Sequence, residues 1–167
     1  MTPKSPQYIA HRGLWWPDRF RENLLPAIQD AFDAGFSVEV DVRVHDDLLV
    51  LSHDPPAGRS PSHRFACWED FLDMLVVAGS GCEAFIDIKE PGTETRIAAD
   101  LWARGLCGRT WLFDFGLCCA DPAKVLAAAP DARLLRRVSD RTEHEPGDDR
   151  LWSGTWLDQW DSEWVTA

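Results

Sequence analysis

The feature that most constrains this chain is an alternation of two kinds of apolar run. Short β-branched or aromatic segments are each followed by a longer stretch of helical period, the pattern of repeated βα units on a parallel sheet. Six strands are expected, at residues 8–10, 38–42, 84–88, 111–113, 134–138 and 155–157. A helix is expected over 23–34, with Leu24, Ile28 and Phe32 on one face, Pro26 in its first turn and Gly35 placed to end it. Further helices are expected over 68–77, over 94–104 with Gly105 as terminator, and over 122–129, opened by Asp121 as N-cap with proline in the first position. After the second strand, the polar His45-Asp46-Asp47 separates two apolar runs. It reads as the turn of a hairpin whose return strand, 48–51, delivers Ser52, His53 and Asp54 back to the rim they left. Residues 140–150 read as an exposed loop.

Composition narrows the class. A chain of 167 residues without internal repeat or low-complexity linker is expected to be one domain, 1–167. With 28 acidic against 17 basic residues and no basic run, nucleic acid is not expected as a partner. The first residues hold no apolar stretch of signal-peptide length, and no segment reaches the roughly 18 to 20 apolar residues of a membrane span. A soluble, cytoplasmic protein without stable membrane insertion is expected. The five cysteines form no C-x-x-C pair and read as small buried hydrophobes, Cys118 included. Trp152, Trp156, Trp160 and Trp164 recur at every fourth position, a spacing that suits a helix face but is interrupted by Gly154 and Thr155. No Lys or Arg follows Arg150, which does not suit attachment to anionic lipid. These tryptophans are expected to pack on the rest of the fold or to form a homo-oligomer contact.

Three polar clusters fall where βα loops begin, the rim on which parallel barrels build active sites. They are His11-Arg12-Gly13, Glu39-Val40-Asp41 and Asp87-Ile88-Lys89. Glu39 and Asp41, two apart on a strand, point to the same side, as do Asp87 and Lys89. Three carboxylates gathered in one mouth call for a counter-charge, and an oxygen-seeking cation such as Mg²⁺ or Ca²⁺ supplies it. Among rival groups, His45 in the turn and His63 in a Pro-Ser-rich loop are expected to be structural or exposed. Asp114 and Asp158 follow strands without a motif behind them.

In order, the runs IAHRG, ENLLPAIQDAFDAGFSVEVDV, LLVLSHD and FIDIK resemble the glycerophosphodiester phosphodiesterase family over about the first 90 residues. WLFDFG and GTWLD look similar to short bacterial members found with polysaccharide genes. The resemblance implies a TIM-barrel-like (β/α) fold, shortened or incomplete at the C-terminus, and metal-dependent hydrolysis of a glycerophosphodiester or a related small or glycan-linked phosphodiester. It makes His11 and His53 the acid/base pair, Glu39, Asp41 and Asp87 the ligands of Mg²⁺ or Ca²⁺, and Arg12 and Lys89 the groups that neutralise the phosphate. Glu22 would orient Arg12 or a metal-bound water. The implied route is attack by the substrate's neighbouring hydroxyl, a cyclic phosphate, then water.

Departures from the family pattern are Arg21 for proline, Leu24 for threonine, the His45-Asp46-Asp47 turn, and Asp87 for a glutamate one methylene longer. Two other readings are open: a phosphodiester-binding module with impaired turnover, and a phospholipase D-like lipid head-group hydrolase, which needs an exposed apolar entrance. A closed barrel takes eight strands and typically about 200 to 250 or more residues. Six strands imply an open sheet, with Trp156 and at least two of Trp152, Trp160 and Trp164 filling the gap.

Overall fold

Strand β2 (Ser37–His45) shows why one sequence pattern serves both packing and chemistry. Val38, Val40 and Val42 alternate with Ser37, Glu39 and Asp41, and all six side chains are buried. A strand covered on both faces is characteristic of parallel sheets, and here one of its faces is polar. The computed structural model describes residues 8–56, 65–113, 121–139 and 151–158. Among the described residues, eight strands and four α-helices make a mixed α/β fold. Contacts divide the chain into two compact units, 1–86 and 87–167.

In the first unit, β1 (Ile9–His11) runs parallel to the start of β2, with His11 opposite Glu39. Strand β3 (Leu48–Leu51) runs antiparallel to the end of β2, pairing His45 with Leu48 and Val42 with Leu51. The two residues between, Asp46 and Asp47, have φ of 49° and 64°, the left-handed pair that a tight hairpin turn matching strand twist requires. Strand β4 (Ala66–Cys67) adds to β3, and β5 (Ala84–Ile88) begins in this unit. Helix α1 (Leu25–Asp33) buries Ala27, Ile28, Ala31 and Phe32, and α2 (Trp68–Val77) buries Trp68, Phe71, Leu72 and Leu75.

The second unit holds α3 (Glu94–Ala103), β6 (Thr110–Phe113), α4 (Pro122–Ala128), β7 (Arg133–Ser139) and β8 (Gly154–Asp158). Its strands β6, β7 and β8 are parallel, with Leu112 opposite Leu134 and Leu135 opposite Gly154. Asp121 caps α4 by accepting from the Ala123 amide at 3.0 Å. The Arg133 guanidinium lies 4.0 Å over the Trp111 ring.

Several expectations need adjustment. Helix α1 starts at Leu25, two residues later than its pattern suggests, because Asn23 has a φ of 59° and its amide bonds elsewhere. Strand β4, two residues long, carries too little pattern to be read in advance. The strand expected at 155–157 is present as β8, Gly154–Asp158, so the tryptophan spacing is not a helix face where it can be followed. Trp156 stacks on Phe113 with ring centroids 4.7 Å apart and Trp152 is half-buried, while Trp160 and Trp164 lie outside the described residues. So do the 140–150 loop, His63, Asp114, Cys118 and Cys119. Cys82 and Cys107 are buried, and burial pushes the Cys107 thiol up, as befits an inert packing residue.

The loop after β1 is pressed onto the first turn of α1. Leu14 N donates to Ala27 O at 2.8 Å, and Gly13, at φ 86°, lies so close that a Cβ there would meet Ala27 C and O at 2.8 Å. Gly13→Ala is expected to lower the unfolding free energy by about 2 kcal/mol, from the left-handed backbone and the clash together. The urea midpoint checks this; an unchanged midpoint would mean that the loop docks differently.

Candidate active site

One edge of β2 receives two different strands in succession, and the site forms where one gives way to the other. Ser37 N donates to Tyr8 O at 3.0 Å and Arg12 N to Glu39 O at 2.9 Å; then Ser52 N donates to Asp41 O at 3.0 Å. The end of β1 and the end of β3 therefore meet beside Glu39 and Asp41. This places the His11 and His53 segments next to one pair of carboxylates.

Asp41, 1% exposed, is held by Asn23, whose Nδ2 donates to Asp41 Oδ2 at 2.8 Å while Asp41 N donates to Asn23 Oδ1 at 3.1 Å. Arg12 adds its charge, with Nε 3.1 Å from Asp41 Oδ2 and Nη1 donating to Glu22 Oε2 at 2.9 Å. The other Glu22 oxygen accepts from Arg19 Nε at 3.0 Å. Arg12 and Asn23 both adopt left-handed backbone, φ 60° and 59°, and Asn23 N donates to Arg12 O at 3.0 Å. Such conformations cost about 1–3 kcal/mol each in non-glycine residues and persist where surrounding bonds over-determine them. Here four side-chain contacts do so.

The His11 imidazole stands at the surface, 60% exposed, with Nε2 3.7 Å from Glu39 Oε2, beyond hydrogen-bond reach. Partial burial, with the nearby positive charges of Arg12 and His53, holds its pKa below the ordinary histidine value; Asp41 and Glu22 oppose this in part. His53 Nδ1 lies 3.0 Å from Asp54 Oδ1, a contact that favours the Nδ1–H tautomer and leaves Nε2 to take up a proton. The His53 carbonyl accepts from Arg43 Nε at 2.9 Å, and Ser52 Oγ donates to Asp54 O at 2.7 Å, so the segment is fixed at both ends.

The two histidines line neighbouring cavities rather than a single one. His11 borders an open cavity of about 630 Å³ with Arg12, Trp15, Trp16 and Glu22, and His53 borders one of about 70 Å³ with Asn23, Ser52 and Asp54. Arg19, Phe20 and Glu22 wall both. Glu39, Asp41 and Asp87 are all buried. Carboxylate oxygens are the donors that a hard cation such as Mg²⁺ or Ca²⁺ takes, so the chemistry of these side chains fits such an ion. Lys89 Nζ donates to Asp87 Oδ2. His45 stands apart, its ring 5.1 Å from that of Phe65 and its Nε2 3.7 Å from Asp46. Asp158 closes β8.

Sequence reading pairs Glu22 with Asn23 but does not foresee that Asn23 clamps Asp41. It brings Asp54 to the rim without giving it a role, and passes over Arg19 and the aromatic wall 15–20. Asp54 was the more visible, directly after His53; the wall has no periodicity to betray it.

No protein-family model and no curated protein sequence matches this chain. Solved structures do. A glycerophosphodiester phosphodiesterase from Parabacteroides distasonis superposes with a TM-score of 0.66 at 18% identity, covering 90% of this chain and 72% of its own. One from Agrobacterium tumefaciens gives 0.60 at 19%, over 81% and 67%. A putative one from Galdieria sulphuraria gives 0.62 at 15%, over 80% and 65%. This chain shares the fold of these solved structures. It spans about two thirds of the length of these structures, from 65% to 72%. The phosphodiesterase fold is thus shared at identities too low for sequence matching, and the ordered motifs of the first half already imply it.

A lowered His11 pKa means that, just below the ordinary value near 6.5, the unfolded chain binds more protons than the folded one. Its contribution to stability is then full above about pH 6.5 and lost as pH falls through the folded value. An NMR titration of the metal-free protein is expected to place the His11 midpoint below about 6.5, and Arg12→Leu to move it upward. A midpoint at or above the ordinary value would contradict the electrostatics described.

Proposed function

We propose that this protein hydrolyses a small phosphodiester, of the glycerophosphodiester type or glycan-linked, with His11 and His53 as the proton-transfer pair. The observation that carries the reading is the meeting of the His11 and His53 segments beside Glu39 and Asp41 on one strand edge. Histidines suit the task because both protonation states are accessible near neutral pH. One imidazole takes the proton of the attacking hydroxyl, a neighbour on the substrate itself, while the other donates a proton to the departing alkoxide. The product of that step is a cyclic phosphate, which water opens with the two roles exchanged.

Arg12, fixed by Glu22 and Asp41, presents positive charge beside His11 and favours the charge that builds on the phosphoryl oxygens. Lys89 is assigned the same task from its place beside Asp87. Glu39, Asp41 and Asp87 are the residues that would hold a Mg²⁺ or Ca²⁺ ion, which supplies Lewis-acid stabilisation of the phosphate when bound. No helix among the described residues is long and apolar enough to cross a membrane, which accords with a small substrate taken from solution.

A hydrolysis screen over phosphodiesters, with chelator or with millimolar Mg²⁺ or Ca²⁺, tests the reading. Turnover is expected to need the cation and to fall by about 10² or more in His11→Ala and in His53→Ala, with thermal midpoints near that of the parent. Full activity in either variant, or indifference to chelation, would remove the assigned roles. Binding without turnover would favour a module that has kept the site and lost the reaction. The cation alone is expected to raise the thermal midpoint, by the equivalent of about 2.7 kcal/mol at a hundred times its dissociation constant.

A further inference from the structure

The inequality of the two cavities distinguishes the two sides of the substrate. The one beside His53, about 70 Å³, is lined by polar groups of Arg19, Glu22, Asn23, Ser52 and Asp54 with Leu24, Leu51 and an edge shared through Phe20, a small space that suits a small polar alcohol. The one beside His11, about 630 Å³, falls in the size range of sites that hold a whole ring-bearing ligand. Its wall is the segment 15–20, in which Trp16 and Phe20 are each 82% exposed. Side chains so exposed contribute nothing to the core, yet the segment that carries them is held in place. Trp15 Nε1 donates to His11 O at 2.9 Å, tying the loop to β1. Asp18 Oδ1 accepts from Phe20 N at 3.0 Å and caps the short helical turn Arg19–Arg21. The Trp15 and Trp16 rings meet edge to face, with centroids 6.1 Å apart. Two large aromatic faces are therefore presented to solvent at little further ordering cost, directly beside the proton-transfer group.

We propose that Trp16 and Phe20 form a stacking platform for a sugar ring, so that the diester joins a sugar on the His11 side to a small polyol on the His53 side. The proposal rests on the phosphodiesterase reading and names its substrate class. A sugar ring has a flat apolar C–H face and a rim of hydroxyls. The cavity matches both, since Asp18, Arg19 and Arg12 flank the aromatic faces. An acyl chain would leave those charged groups desolvated. A net charge of −11 also opposes approach to an anionic lipid surface.

The test compares three diesters of glycerol phosphate, carrying glucose, methyl or, as a lysophospholipid, an acyl chain with choline. In Trp16→Ala and Phe20→Ala, kcat/KM is expected to fall about five- to tenfold more for the glucosyl than for the methyl diester, chiefly through KM. Trp16→Phe should restore most of the loss. Equal losses on the glucosyl and methyl diesters, or a parent preference for the lysophospholipid, would overturn the platform. If the parent turns over none of the three, the hydrolytic reading falls. Quenching of tryptophan fluorescence by the glucosyl diester, lost in Trp16→Phe, would still support the platform, and no quenching would overturn it.

Discussion

The double hydrogen bond between Asn23 and Asp41 is the constraint on which the rest of the site depends. A carboxylate buried on a sheet strand is tolerable only with partners that satisfy its lone pairs, and losing one partner of such a group typically costs several kcal/mol. Asn23 meets that need from a loop, with one amide serving both the side chain and the main chain of Asp41. The loop must then turn through a left-handed residue to bring the amide in, and its backbone is drawn against Arg12. Fixing Asp41 therefore also fixes the loop that carries His11.

Charge runs through the site as a chain. Asp41, Arg12, Glu22 and Arg19 alternate in sign, and each contact passes to the next. Both Glu22 oxygens are engaged by different arginines, so its carboxylate acts as a splint between the buried end of the chain and the exposed loop. In a protein with so large an excess of acid, this local pairing neutralises two of the site's carboxylates with two arginines.

How much of this was legible in the sequence depended on whether local preference or distant contact decided the outcome. Helix α2 matches its expected range end to end because Trp68, Phe71, Leu72 and Leu75 repeat at helical spacing on one buried face. The β2–β3 hairpin was legible because the polar His45-Asp46-Asp47 stands between apolar runs on either side. The helix expected to start at Asn23 begins two residues later because the Asn23 side chain is claimed by Asp41, eighteen positions away. Among site residues, the order of HRG, E-x-D and HD was readable because each element follows a strand. The segment Trp15–Phe20 was not, because its exposed aromatics obey neither helical nor strand periodicity. The C-terminal tryptophans carried a helical spacing that strand pairing overrode, since β8 aligns on β7 from Gly154 onward.

The succession of β1 and β3 along one edge of β2 also bears on when the site forms. Both histidines, Arg12, Glu22, Asn23, Glu39 and Asp41 lie between Ile9 and Asp54, so every contact among them closes within that one segment. The loops these contacts close are shorter than any that would involve the rest of the chain, and shorter loops cost less chain entropy to close. During synthesis the N-terminal segment emerges first, and it carries its own counter-charge in Arg12. Asp41, with Asn23 and Arg12 as its partners, can thus be buried in a nascent chain before Asp87 has left the ribosome.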